Sequence, residues 1–371
     1  MKKKSLINKY LILSILLFVT NIFGAVPQKT ILNILHISFH RGCINEIENV
    51  SKELGYNLVS WFIPDLPKGY LDPTAKGNAL YNITENRANI IWKRHQNFFN
   101  KFDVIITSDT TPLSRIFLQN NFQKYLLIWV CNRFDYSDQT SIDDPFPDSN
   151  YYNLIRSIPL RPNVRIFSYT PFEHYYAQKY KNVHSWNQTI KPTGKFLQQE
   201  NYLSAIQPYV NKETTFFVPP YHNDTIYMNL ASFLNTIGIP AYTGRYNGAD
   251  DLKNFKGIIH IPYAWSNFAL FENWVNGKIY FIPSQSFLVQ LAEINNFFWS
   301  PPFDISALNI SEWYNPKYKD LFVYFSSWED LKYKIQTIDY IKYEKRIKTF
   351  GLFHQNEMIN KWKILLNSLH L

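Results

Sequence analysis

The chain has 371 residues, 46% hydrophobic and 18% aromatic, enough to build sizeable cores in two domains. With 18% charged residues it lies outside the composition of disordered chains. The formal charge is +9; removing Lys2, Lys3, Lys4 and Lys9 leaves +5 for the body, with the other Lys and Arg scattered, so no nucleic-acid partner is expected.

Residues 1–25 have a basic start and an apolar run from Leu11 to Phe23, short of the ~20 residues that a membrane span needs. This segment reads as a cleaved secretory signal in preference to an uncleaved type II anchor. It implies a body in the secretory-pathway lumen, or exported to the cell envelope, with membrane contact only through such an anchor. Cys43 and Cys131 are the two cysteines. Both are expected just beyond the carboxyl ends of strands about 10 Å apart in one sheet. Two buried free thiols are the plainer reading, and a disulfide closed by loop movement is the alternative. Asn-x-Ser/Thr sequons at Asn49, Asn82, Asn187, Asn223 and Asn309 would suit a glycoprotein, but a chain this rich in Asn, Ser and Thr gives several by accident.

Ile31 to Ser38 reads as a buried strand, followed by the loop Phe39-His40-Arg41-Gly42 and an amphipathic helix from Cys43 to Leu54 ending at Gly55. A strand from Asn57 to Ile63 completes a βαβ unit. After a stretch rich in Pro and Gly (64–77) come a helix over 85–101 and a strand over 104–107. Ser108-Asp109-Thr110-Thr111-Pro112 reads as a helix start. Strands follow at Tyr125 to Cys131 and Val164 to Tyr169, and Thr170-Pro171-Phe172-Glu173 has capping-box spacing. The stretch 184–194 leads towards an interdomain hinge.

A second alternation starts with a strand at Thr214 to Val218. The loop 219–224, a helix to about Thr236, a strand around Ala241 to Gly244 and a short helix over 250–255 follow. Then comes GIIHIPYAWSNFALFENWVNGKIYFIPS, from Gly257 to Ser284: a β-branched strand, a polar loop, a helix carrying Glu272 and stopping at Gly277, and an apolar strand. Such a unit sets a helix N-terminus against an anion. The C-terminal part from Trp328 to Leu369 is helical and aromatic. Strands alternating with helices in both halves imply an α/β protein with two doubly wound, Rossmann-like parallel sheets facing a cleft.

No G-x-G-x-x-G, P-loop, G-x-S-x-G, H-E-x-x-H or paired C-x-x-C is present, and no Asp-x-Asp to hold a divalent ion. No metal or other cofactor is therefore expected. A bound diphosphate would be neutralised by side chains and helix N-termini. The two alternating halves, the missing Asp-x-Asp and Phe271-Glu272-Asn273-Trp274-Val275-Asn276-Gly277 resemble the GT-B glycosyltransferases, many of which carry a ribose-binding Glu five residues before a Gly. A second acidic residue eight positions earlier is common there, and Ala264 stands in its place.

The resemblance implies an N-terminal acceptor domain (26–195), a C-terminal donor domain (196–345) and a final helix (346–371) crossing back. It implies transfer of a sugar from a nucleotide-diphosphate donor to a glycan or glycoprotein acceptor. An exported, two-lobed, non-catalytic sugar- or anion-binding protein, or a degenerate transferase, is the alternative. Glu272 would hold ribose hydroxyls, Ser266 and Asn267 would bind phosphate, and Arg245 would neutralise the diphosphate. Each also has a plainer reading: a solvated carboxylate, helix caps and a surface cation. His40 and Asp109 are the candidate catalytic bases, each between a strand and a helix. Asp109 alternatively caps a helix, and Arg41 beside His40 is expected to lower its pKa. Arg41, Asn132 and Arg133 are possible acceptor or donor contacts, Arg133 alternatively pairing with Asp135.

Overall fold

The computed structural model describes residues 31–74, 83–131, 134–135, 148–196, 204–208, 210–220, 228–294 and 304–369. The N-terminal half runs β1 (Asn33–Ser38), α1 (Arg41–Leu54), β2 (Asn57–Phe62), α2 (Glu85–Phe99), β3 (Val104–Asp109), α3 (Arg115–Gln119), β4 (Tyr125–Val130), α4 (Ser149–Arg156), β5 (Val164–Ser168) and α5 (Pro171–Lys181). The C-terminal half runs β6 (Phe216–Phe217), α6 (Leu230–Thr236), β7 (Ala241–Tyr242), α7 (Ala249–Leu252), β8 (Gly257–Ile259), α8 (Phe268–Val275), β9 (Tyr280–Pro283), α9 (Gln285–Ile294), β10 (Phe322–Phe325), α10 (Trp328–Thr337) and α11 (Tyr340–Asn367).

Two five-stranded sheets result, ordered β2-β1-β3-β4-β5 and β10-β9-β8-β6-β7. Every paired strand is parallel. The inner strands β3 and β4 are buried almost throughout because helices cover both faces, so their sequences VIITSD and YLLIWV show no polar alternation. β2, at the sheet edge, alternates between exposed and half-buried positions from Asn57 to Ser60 before burying Trp61. β10, which the sequence pattern did not mark, sits at the edge of the second sheet beside β9.

Three local expectations are corrected. Thr170 caps α5 without a side-chain bond; its hydroxyl instead donates to Glu312 Oε2 in the other lobe, at 3.1 Å, so the capping box does not form. The helix start expected within Ser108 to Pro112 is present, as a 3-10 turn opening at Thr111 with Pro112 in its first turn and leading into α3. Asp109 is not its cap: it ends β3 with φ 81°, and Thr110 stands at the cap position. The division expected at residue 345 falls inside one continuous helix, α11.

The returning helix α11 ties the lobes together. Gly351 lies so close to α8 that a Cβ there would meet the Trp274 carbonyl oxygen at 2.4 Å. Further along, Trp362 packs edge-on against Trp129 and Phe167 of the first sheet, with centroids 5.5 and 5.4 Å away. The connecting segment is clasped from both sides. The Thr193 N–H donates to Glu46 of α1 at 2.6 Å, and His354 Nε2 of α11 donates to the Pro192 carbonyl at 2.9 Å. Elsewhere Phe172 stacks on Trp265 at 3.7 Å, and Lys191 pairs with buried Glu312. Cys43 and Cys131 are free and buried, with β3 lying between the strands that lead to them.

Candidate functional site: a cleft between the lobes

The strand ends of the two sheets face each other across a cleft of about 400 Å³. From the first lobe His40, Arg41, Gly42 and Asn45 line it, at the junction of β1 and α1. The second lobe contributes an aromatic wall, including Phe217, Tyr246, His260, Tyr263 and Tyr280, and the polar pair Glu272 and Asn273 of α8. Ligands of open parallel sheets bind at such carboxyl ends.

His40 is placed by local geometry. It precedes the first turn of α1, and its N–H donates to Ser38 Oγ at 3.1 Å. The imidazole folds over the helix start because residue 42 is glycine: a Cβ there would lie 2.8 Å from His40 Cε1 and 3.2 Å from Phe268. The ring thereby reaches Phe268 in the opposite lobe and stacks on it.

Around it lies a set of mutually interacting titratable groups. Burial works to lower the His40 pKa. The hydrogen bond and charge of Cys43, then the charges of Asp109 and Glu272, outweigh it and push the value up to about 9. The expectation that Arg41 lowers this pKa is therefore overturned: although Arg41 lines the cleft, its guanidinium pairs with Asp65 at 2.6 Å and lies over Phe62 at 3.8 Å. Burial would raise the Cys43 thiol, but hydrogen bonds from Cys131, His40 and Ser108 bring it below the ordinary range. Ser108 also meets the buried His36, at 2.7 Å between Oγ and Nε2.

Glu272, half-buried on α8, has its pKa pushed up to about 7 by burial, with the His40 charge opposing. Below it, burial raises Glu46 to about 8 against the hydrogen bonds from Thr193, and Glu272 adds repulsion. Asp109 stands behind His40, buried, in a left-handed conformation that Asp tolerates better than most residues.

The other expected residues are placed unevenly. Asn267 lines the cleft, and its side chain accepts the Leu270 N–H at 2.7 Å, so it caps α8. Ser266 is buried outside the cleft lining; its carbonyl accepts from the Tyr169 hydroxyl at 3.1 Å. Arg245 is exposed and lies off the cleft wall, which its neighbour Tyr246 lines instead. Asn132 and Arg133 lie outside the described residues. Asp135, the partner considered for Arg133, pairs with Lys181 at 2.8 Å and accepts from the Tyr152 hydroxyl at 2.5 Å.

Sequence reasoning missed His260, Tyr263 and Tyr280. The first was signalled by its position directly after the β-branched run Ile258-Ile259, where a strand end opens on the cleft. Missed too was Gly248, at φ 79°, where a Cβ would meet the Phe196 ring at 2.2 Å.

No family model and no characterised protein matches the chain. Among solved structures it is similar to a UDP-N-acetylglucosamine 2-epimerase (TM-score 0.48, 10% identity, 92% of this chain and 98% of that one). It is similar also to the glycosyltransferase SnogD from Streptomyces nogalater (0.46, 9%, 91% and 100%) and to the calicheamicin glycosyltransferase CalG4 (0.43, 9%, 92% and 100%). The class is defined by the chain's own architecture: two Rossmann-like parallel sheets, an interlobe cleft at their strand ends and a C-terminal helix returning to the first lobe make it a GT-B-fold protein.

Proposed function

We propose that the protein is a glycosyltransferase that takes a sugar from a nucleoside-diphosphate donor without a metal ion, for a glycan or glycoprotein acceptor in the secretory pathway or cell envelope. The observation that carries this reading is that His40 of the first lobe and Glu272 of the second line one cleft, His40 being stacked on Phe268 of the helix that carries Glu272. The base and ribose would lie along the aromatic wall, with the ribose hydroxyls donating to the Glu272 carboxylate. The diphosphate would face the amides at the start of α8 and the His40 imidazolium. When the C1–O bond breaks, negative charge grows on the departing diphosphate, and a cation fixed in a poorly solvated cleft stabilises it more than water does. Asp109, behind His40, helps to keep that cation charged. His40 thus serves as an electrostatic group at neutral pH; the base role expected from sequence does not suit a pKa of about 9.

Calorimetry with uridine, guanosine, adenosine, cytidine and thymidine diphosphates tests the reading. At least one should bind wild type in the presence of EDTA, and Glu272→Ala should weaken that binding at least tenfold. No binding by wild type, or equal binding by the variant, would sink it.

A further inference from the structure

We propose that the outward face of α11 docks flat on an anionic lipid bilayer, independently of the activity assigned to the cleft. Among the described residues no helix is long and apolar enough to cross a membrane, so this contact would be peripheral.

The helix has 28 residues, about 40 Å of rise. Its inner stripe, including Ile347, Gly351, His354, Met358 and Trp362, is buried. The outer face carries the exposed cations Lys342, Lys345, Arg346, Lys348 and Lys363. Of the two acids of the helix, Glu344 lies towards the buried side, whereas Glu357, four residues after Phe353 and seven before Ile364, borders the outer face, half-buried and with its charge met by Lys361 at 3.1 Å. Two exposed acids stand at the helix start: Asp339, which caps it by accepting the Lys342 N–H, and Asp320, beside exposed Lys317 and Lys319.

Set among these cations are large apolar side chains left in water: Ile341 (80% exposed), Leu352 (44%), Phe353 (64%) and Ile364 (60%). Their spacing is the decisive feature. Ile341 and Leu352 are eleven residues apart, as are Phe353 and Ile364, and eleven residues return to the same side of a helix after three turns. The apolar groups therefore run in two rows along the helix, with lysines between and beside them. Aliphatic and aromatic tips can enter the acyl boundary while lysine heads stay at the lipid phosphates. A soluble polyanion would use the cations alone and leave the apolar rows idle.

The geometry of the chain agrees. Leu32, just before β1, packs in one cluster with Leu365, Leu366 and Leu369 at the end of α11. The apolar run ending at Phe23 is nine residues upstream, a reach of about 30 Å at most. A chain held at a membrane by that run would enter the fold at one end of α11, leaving the helix free to lie down.

The test is vesicle co-sedimentation of the full chain on phosphatidylcholine vesicles with and without 30% phosphatidylglycerol. The ratio of the two partition coefficients cancels any charge-independent contribution of residues 1–30. Each cation near the surface adds roughly fivefold. Lys345→Gln/Arg346→Gln/Lys348→Gln should therefore reduce the ratio by about 100-fold, whereas Phe353→Ser/Ile364→Ser should weaken binding to the anionic vesicles at least tenfold. All five side chains are solvent-facing, and unchanged circular dichroism will confirm folding. As a second readout, Phe353→Trp should show blue-shifted emission and quenching by brominated lipid. An unchanged ratio in the triple variant, a serine pair that binds like wild type while heparin competes (a soluble polyanion site), or indole emission from the Phe353→Trp variant that brominated lipid leaves unquenched would each overturn the proposal.

Discussion

His40 of the first lobe and Phe268 of the second lie ring to ring, with centroids 5.3 Å apart and planes inclined by 25°. A titratable group of one sheet is thereby fixed on the wall of the other. If its charge serves the reaction, kcat at saturating donor should be level at neutral pH and fall as pH rises through about 9. His40→Gln should lower kcat roughly 100-fold and abolish that alkaline limb. The same sign holds for stability: a histidine whose pKa is raised on folding stabilises the native state below pH 6.5, and the contribution disappears as pH passes 9. A pH–rate profile that climbs towards 9 would reinstate the general-base role.

Glu272 should show opposite effects on binding and on stability. Ionisation through about pH 7 creates the acceptor for ribose hydroxyls, so nucleotide affinity should increase across that pH. The native state prefers the protonated form, so folding loses stability between pH 4.5 and 7, by up to about 3 kcal/mol and less because the carboxyl is partly solvated. Glu272→Gln should therefore unfold at higher urea than wild type at pH 8 while binding nucleoside diphosphate more weakly. A variant less stable than wild type at pH 8 would contradict this.

Two buried histidines each work against the fold in acid. Burial holds His36 at about 3 and His354 at about 4, so both stay neutral in the folded chain while the unfolded chain takes up protons below 6.5. Each histidine should withdraw about 1.4 kcal/mol per pH unit as pH drops from 6.5 towards 4, while protonation of Glu272 and Glu46 in the native state offsets that loss down to about 4.5. The histidine contribution is isolated by comparing wild type with His354→Asn: between pH 7 and pH 5 the difference in their unfolding free energies should move in the variant's favour by about 2 kcal/mol, and an unchanged difference would contradict this.

Gly351 sets the approach of α11 to α8. With a Cβ only 2.4 Å from the Trp274 carbonyl, Gly351→Ala must move one helix, at a cost of about 1–3 kcal/mol. Denaturation should show that loss despite alanine's better helix propensity. A more stable variant would show that the contact yields.

Much of this fold was legible because both sheets are buried on both faces. Runs such as ILNILHIS, YLLIWV and GIIHIP advertise inner strands with no tertiary information, and the Gly55 and Gly277 stops mark helix ends. β6 and β7 stand where the sequence places them but are only two residues long, and the edge strand β10 went unmarked, since two to four residues carry little periodicity. The cleft was legible where a side chain directly follows a strand or rides an inward helix face, as with His40 and Glu272. Ser266 and Arg245 follow the same rule, yet one is buried behind the loop and the other points to solvent, because side-chain direction within a loop depends on contacts made far along the chain. The raised pKa of His40 was not legible either. It depends on Cys43, Asp109 and Glu272, which the sequence separates by up to 232 positions and the fold gathers around one ring.

The segment between the lobes, held by Glu46 from one side and His354 from the other, is no free swivel. With Phe172 stacked on Trp265 and Lys191 locked to Glu312, a large swing of one half against the other would strip several buried polar groups of their partners at once. The molecule should therefore behave as a pre-shaped receptor. Its small-angle scattering curve should hardly change when nucleotide is added, and guests should enter sideways, past the rim, without the jaws parting.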